Sequence, residues 1–279
     1  MLATIAYILR IEHDSQCFYR INTEAEKHML KLVTMCSIHV IGDWGRRGQF
    51  FQKPIASRME EIEYDAVISV GDNFYPEGIA SPEDTHVFES WADIYNPSTP
   101  WFVALGNHDH KGSAEAQTKI DLPHWNMPNN LYTFDLCNHS FVVMDSTHVD
   151  EAQWDKVDKL LTEAGPNKWI VAHHPIYSGG WHHFVDEEYR TKMVELYKKH
   201  GVIGILSGHD HDLQYIELDG IHQVVSGAAA STYGYSEYQE GVQFFSEDVG
   251  FVHLAISEEK VNIEYIGLEN ILWNTTISI

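Results

Sequence analysis

The chain has 279 residues, 44% of them hydrophobic and 21% charged, with a formal net charge of −23 at pH 7. That is the composition of a globular protein with room for a sizeable core, and not of a disordered or fibrous one. The excess of acid argues against nucleic acid and anionic membranes as partners, since both are bound through basic patches. An anionic substrate would need a local field of opposite sign, which bound metal ions supply.

Residues 1–34 carry no nameable chemistry and are expected to be an N-terminal extension, with Met29 as an alternative start. The stretch Met1–Leu9 is apolar but short and lacks a basic n-region, so it does not read as a signal peptide. No apolar run reaches the roughly 18 residues of a spanning helix. The cysteines are Cys17, Cys36 and Cys137, with no CxxC pair, and an odd count does not make a disulfide framework. Cys36 and Cys137 are therefore expected to be buried thiols. Residues 35–279 are expected to form a single domain.

Ordered structure is expected to begin at the β-rich run Ser37–Ile41, which ends in Gly42-Asp43-Trp44-Gly45. Phe51, Ile55, Met59 and Ile62 then recur at helical spacing, predicting a helix over 50–63. The run Ala66–Val70 reads as a strand opening into Gly71-Asp72-Asn73-Phe74-Tyr75. Residues 84–93 read as a helix with Asp84 as N-cap. A third strand, Trp101–Leu105, ends in Gly106-Asn107-His108-Asp109, and 131–136 with 140–145 read as a hairpin around Asn138. The helix over 151–164 is stopped by Gly165-Pro166, and the strand Trp169–Ala172 ends in His173-His174-Pro175. A helix over 186–200, stopped by Gly201, leads to the strand Val202–Leu206 and to Ser207-Gly208-His209-Asp210-His211. From Leu213 onward the chain alternates like short antiparallel strands, with a Gly/Ala/Ser-rich loop at 226–231.

Each of these apolar strands ends directly in Asp, Asn or His. Continuous apolar strands separated by helices predict a central sheet covered on both faces. Ligands of such sheets gather at the carboxyl ends of the strands. Asp43, Asp72, Tyr75, Asn107, His173 or His174, His209 and His211 would then meet on one rim. That donor set is too large for one metal, and oxygen and nitrogen donors without thiolate suit iron, manganese or zinc. Two metals sharing one carboxylate would sit about 3.5–4 Å apart and clamp an in-line displacement at phosphorus. His39, His139, His148, His222 and His253 read as surface or satisfied core histidines.

These motifs, in this order, resemble those of the purple acid phosphatases, which belong to the calcineurin-like metallophosphoesterases. The small tartrate-resistant type is the most similar, and His110 and Leu213-Gln214-Tyr215 also fit it. The resemblance spans about residues 37–230. It implies an α/β (α+β) fold: a four-layer αββα sandwich in which two central mixed β-sheets are flanked by helices. It implies a dinuclear metal-dependent acid phosphatase hydrolysing phosphomonoesters by direct attack of a metal-bound hydroxide. By the same resemblance Asp43, Tyr75, His211 and bridging Asp72 would hold ferric iron (Fe3+). Asn107, His173, His209 and the same Asp72 would hold Fe2+, Zn2+ or Mn2+, with His174 as the fallback for His173. The wider superfamily places a histidine ligand where this chain has Gly45, and Tyr75 would replace it. His108 is the first choice for the group that protonates the leaving alkoxide and His182 the second, with adjacent His183 as a competitor.

Only 146–150 separate the hairpin from the next helix, so the long protease-sensitive loop of animal-type members is absent and the site should be open. Small phosphomonoesters and phosphoproteins are the implied substrates of a monomer. The resembled family is often secreted or lysosomal. The alternatives are a phosphodiesterase or nucleotide hydrolase on the same scaffold, and an iron-binding protein with incidental hydrolysis.

Overall fold

The computed structural model describes residues 36–182, 186–233 and 239–279. The N-terminal extension, Cys17 and His183 lie outside the described residues. Two mixed sheets of seven strands each make up the centre. The first runs β14-β13-β12-β1-β2-β3-β4. Its strands are β1 (Cys36–Ile41), β2 (Ala66–Ser69), β3 (Trp101–Val103), β4 (Trp125–Asn126), β12 (Gly250–Ile256), β13 (Lys260–Gly267) and β14 (Ile271–Ser278). The second runs β11-β9-β10-β8-β7-β6-β5. It comprises β5 (Tyr132–Leu136), β6 (His139–Met144), β7 (Lys168–Ala172), β8 (Val202–Ser207), β9 (Leu213–Leu218), β10 (Ile221–Ser226) and β11 (Val242–Ser246).

In the second sheet antiparallel strands close both edges, whereas in the first the parallel run reaches the β4 edge and the antiparallel strands lie on the β14 side. Strands β1 to β4 pair in parallel, and so do β6, β7 and β8, with β10 parallel to β8. The single central sheet read from the strand pattern is thus corrected to two, as the four-layer sandwich requires. The five motif-bearing strands divide between them, β1, β2 and β3 in one sheet and β7 and β8 in the other. Both sheets are covered on both faces, so their strands look equally apolar and the pattern does not say which belongs to which.

The two-residue period of a strand sorts the core. Phe141, Val143, Trp169, Val171 and Leu206 join the cluster that contains Val40, Phe251 and Leu254 of the first sheet. Their neighbours Val142, Met144, Ile170, Ala172 and Ile205 form a separate cluster under helices. Helix α1 (Gln52–Met59) buries Ile55, Ala56 and Met59 in the first cluster. It is shorter than expected, because Phe50 takes a positive φ of 54° before it and Phe51 N is already bonded to Ala230 O. Asp84 does cap His86 N, but the helix after it splits into α2 (Thr85–Val87) and a π-helical turn over Phe88–Ala92. A short α3 (Ala114–Gln117) follows the third motif. Helix α4 (Glu151–Glu163) is capped by Asp150 and buries Trp154, Val157 and Leu161. Helix α5 (Glu187–His200) is capped by Asp186, and Gly201 ends it in the left-handed conformation that only glycine adopts freely.

Cys36 and Cys137 are joined as a disulfide, their Cα atoms 5.6 Å apart, in place of the buried thiols expected from the sequence. Cys36 opens β1, and Cys137 sits in the β5–β6 turn, so the bond ties one sheet to the other. The partners are 101 residues apart and carry no spacing signature. Only the folding of the hairpin over the start of β1 brings them together.

Candidate metal centre

The predicted donors stand where strands β1, β2, β3, β7 and β8 give way to loops. Asp43, Asp72 and His209 each follow a glycine and take left-handed backbone, with φ of 61°, 53° and 71°. Non-glycine residues rarely adopt it, and such outliers cluster at functional sites. Here each turns its side chain back over the end of its strand. The chain ends are pressed together closely enough to demand glycine beside them: a Cβ on Gly106 would collide with Asp72. At Gly45 a Cβ would collide with the Asn73 carbonyl. This backbone therefore has no room for a histidine at 45, and Tyr75, whose N–H donates to Gly45 O, stands next to the gap.

Four donor atoms converge at one point. Tyr75 Oη lies 2.7 Å from Asp43 Oδ1, 2.8 Å from Asp72 Oδ2 and 2.9 Å from His211 Nε2. All four residues are buried, and His211 Nε2 is 3.3 Å from Asp43 Oδ1. A phenol has one proton and can satisfy one of its three neighbours. The two carboxylate oxygens and the phenol oxygen crowd one another whichever tautomer His211 takes, an arrangement that a cation resolves. Burial and the Asp43 and Asp72 charges push the Tyr75 phenol well above its ordinary range, and a cation at this point would reverse that. Burial also disfavours the Asp43 carboxylate, but His211 and His173 outweigh it and hold it low.

A second convergence shares Asp72. His173 Nδ1 is 2.9 Å from Val70 O, a carbonyl that can only accept, so Nδ1 carries a proton and Nε2 is the nitrogen left to ligate; burial opposes a second proton, but the Asp72 and Asp43 charges outweigh it and raise the ring above its ordinary range. That Nε2 is 3.1 Å from Asn107 Oδ1, 3.3 Å from His209 Nδ1 and 3.6 Å from Asp72 Oδ1. Burial and the neighbouring histidines push His209 well below its usual range, toward the neutral form that ligates metal. His174, the fallback, also lies close to His173 and His209. Its Nδ1 is engaged by Ser146 Oγ at 2.8 Å. Both donor sets therefore fit cations: oxygen-rich with a phenol at the first, imidazole-rich at the second.

The two acid candidates differ in support. His108 lies over the Tyr75 ring at 4.3 Å, with Nδ1 2.6 Å from Pro76 O and Lys111 Nζ within 3.2 Å of its ring. The His182 ring lies tilted 4.1 Å from the His209 ring, and buried Asp210 holds its Nδ1 at 3.0 Å and its backbone N at 2.7 Å. A buried carboxylate, Asp210, contacts the His182 ring, whereas the His108 ring meets the Pro76 carbonyl and Lys111.

The motif reading gave no role to several residues that build the site. Asp109 is fully buried and accepts from the backbone of Gly106 and Asn73 and from Gln117. Burial and Asp72 push its carboxyl up to about 7. It joins the second motif to the third. Arg46 lies 3.7 Å over the Tyr75 ring and supplies positive charge in an acidic protein. Tyr233 stacks on His211 at 4.0 Å. His110 Nε2 meets buried Asp145 at 2.8 Å. Arg46, Asp109 and His110 stand within three residues of a donor in sequence, whereas Tyr233 is 22 residues past His211.

A family model of calcineurin-like phosphoesterases matches residues 36–213. Purple acid phosphatase 17 of Arabidopsis thaliana is 31% identical over 240 residues, covering 71% of this chain and 69% of that protein. Human tartrate-resistant acid phosphatase type 5 is 28% identical, with 81% of this chain and 85% of that protein covered. Among solved structures, purple acid phosphatase PPD1 from yellow lupin seeds superposes with a TM-score of 0.73 at 19% identity, over 88% of this chain and 54% of that one. GAP50, described as the anchor in the inner membrane complex of Plasmodium, superposes with a TM-score of 0.79 at 22% identity, over 88% and 89%. At such identities the two structures speak to the fold alone.

Proposed function

This chain belongs to the calcineurin-like phosphoesterases and, within them, to the purple acid phosphatases, and on that premise we propose that it is a dinuclear metal-dependent acid phosphatase hydrolysing phosphomonoesters. Residues 35–279 are the whole of the catalytic domain in this reading. The observation that carries it is the pair of donor clusters that converge on the single shared carboxylate of Asp72.

Asp43, Tyr75, His211 and Asp72 would hold a ferric ion, and Asn107, His173, His209 and Asp72 would hold Fe2+, Zn2+ or Mn2+. When bound, the two cations neutralise the phosphate and make water a competent nucleophile at acidic pH. The chain's own residues do the rest. A phenolic oxygen in place of an imidazole makes the first site harder and more anionic, which favours the trivalent ion. The Arg46 guanidinium and the metal charges together reverse the acidic field of the protein for an incoming anion. His182, oriented through Nδ1 by Asp210, presents Nε2 to the leaving oxygen and delivers a proton to it as the ester bond breaks. His108 Nδ1 is held by Pro76 O and its backbone N–H fixes Asp72 Oδ1, so its first task is to position the shared carboxylate.

The test is metal analysis and a visible spectrum on the purified protein, with turnover of an aryl phosphate and a phosphodiester across pH on the same sample. Two metals per chain, one of them iron, a pink to purple colour and a monoester preference at acidic pH are expected. Metal without turnover would leave a binding protein, and a diester preference would leave the diesterase alternative.

A further inference from the structure

A cavity of about 560 Å³ opens beside the second donor cluster and shares His182 and His209 with it. The short connection over 146–150 contributes Thr147 to its wall, so the space lies where a longer loop would fold over the site. An alcohol leaving a phosphate held at His209, protonated by His182, would extend into this space.

The lining has a definite chemistry. Trp154 and Tyr189 form one wall, their ring centroids 5.9 Å apart, and the Tyr189 hydroxyl donates to His174 O at 3.0 Å, which fixes the ring. Trp181 stands at the mouth and is 59% exposed. Asp186 and Glu188, at the start of α5, supply two carboxylates. Among the described residues no lysine or arginine lines the cavity. Thr147 Oγ1 is buried and meets no hydrogen-bond partner among the described residues. Aromatic faces attract cations, and carboxylates beside them strengthen the attraction while repelling a second anion.

We propose that this cavity is the leaving-group subsite and that it selects phosphomonoesters of amino alcohols, whose ammonium group sits among Trp154, Trp181, Asp186 and Glu188. The proposal rests on the phosphatase reading. Nucleotides and esters carrying a second acid are disfavoured by the same carboxylates.

The test compares kcat/KM of the metal-loaded protein for phosphocholine, for its uncharged isostere 3,3-dimethylbutyl phosphate, and for 3-phosphonooxypropionate. Phosphocholine should exceed the uncharged isostere by about tenfold, and the carboxylate ester should be poorest. The double variant Trp181→Ala/Glu188→Gln should bring the first ratio close to unity. An isostere turned over as well as phosphocholine, or a variant that lowers all three alike, would overturn the assignment. If no ester is hydrolysed, the phosphatase reading falls. Calorimetric binding of choline against 3,3-dimethylbutanol then decides the subsite by itself, with equal affinities rejecting it.

Discussion

Replacing Asp210 by asparagine separates the two roles that Asp210 and His182 divide between them. Asp210 is fully buried, and its Oδ1 accepts from His182 N at 2.7 Å and His182 Nδ1 at 3.0 Å. An amide oxygen at the same place keeps both bonds and loses the charge. Bonds to a charged group contribute roughly 1.5–3 kcal/mol, against about 1 for neutral ones, so the loss is about 0.5–2 kcal/mol. At 1.36 kcal/mol per decade that is roughly a 2–30-fold fall in rate when proton delivery limits it. The other oxygen accepts the Ser178 hydroxyl, whose lone pairs already take Gly180 N at 2.9 Å and Gln214 Nε2 at 3.0 Å. An amide NH2 there would face a donor, and removing Ser178 would strand Gly180 N and Gln214 Nε2, so the single variant is assayed together with its stability to urea. The assay is kcat for an alkyl phosphate, whose alkoxide must be protonated, against a nitrophenyl phosphate, whose phenolate leaves unaided. The alkyl ester should lose the full factor and the nitrophenyl ester about twofold at most. Equal losses on both would refute an acid role for His182 and point to a shifted His209 instead.

Tyr75→Phe keeps the ring against His108 and Arg46 but removes the oxygen from the first cluster, so it should bleach the visible absorption and release iron more readily than the divalent ion. Unchanged colour in the iron-loaded variant would remove Tyr75 from the ligand set. Cys137→Ser should lower stability to urea by up to about 4.7 kcal/mol, the chain-entropy value for a loop of about 100 residues, given the 101-residue separation. Equal midpoints for the oxidised protein and the variant would contradict the bond. His39 is buried, and burial with the His253 charge pushes its imidazole down to about 3. The unfolded histidine takes up its proton below about 6.5 and the folded one does not, so stability falls as pH drops from about 6.5 toward about 3, by about 1.4 kcal/mol per pH unit. His39→Phe should flatten urea-derived stability between pH 6.5 and 5 by about 2 kcal/mol, and an unchanged slope would reject the assignment.

The donors were legible because each lies within a few residues of an apolar strand's end, where glycine lets strand ends approach. Asp43, Asp72, Asn107, His173, His209 and His211 all follow this rule, and they meet in space as the strand pattern predicts. What the pattern hides is anything settled across elements. Whether β7 and β8 share a sheet with β1 leaves no trace in strands that are buried on both faces. The Cys36–Cys137 pairing depends on where the β5–β6 turn falls. The contact of His182 with Asp210 brings the fifth motif under the loop of the fourth, a meeting that neither loop's sequence records.

The first strand of the molecule has a mechanical consequence. At its start Cys36 is bonded to the turn of the other sheet, and just past its end Asp43 meets His211 and the backbone of His209, which come from that same sheet. The two attachments are separated by the length of the strand, about 20 Å at 3.3 Å per residue. The facing sides of the two sheets already share one hydrophobic cluster, so they are held along their whole contact, and the disulfide and the Asp43 contacts add an attachment at each end of this strand. The spacing of the two half-sites is thus set by the packed core between the sheets, and reducing the disulfide would remove an end attachment a strand's length away from the donors.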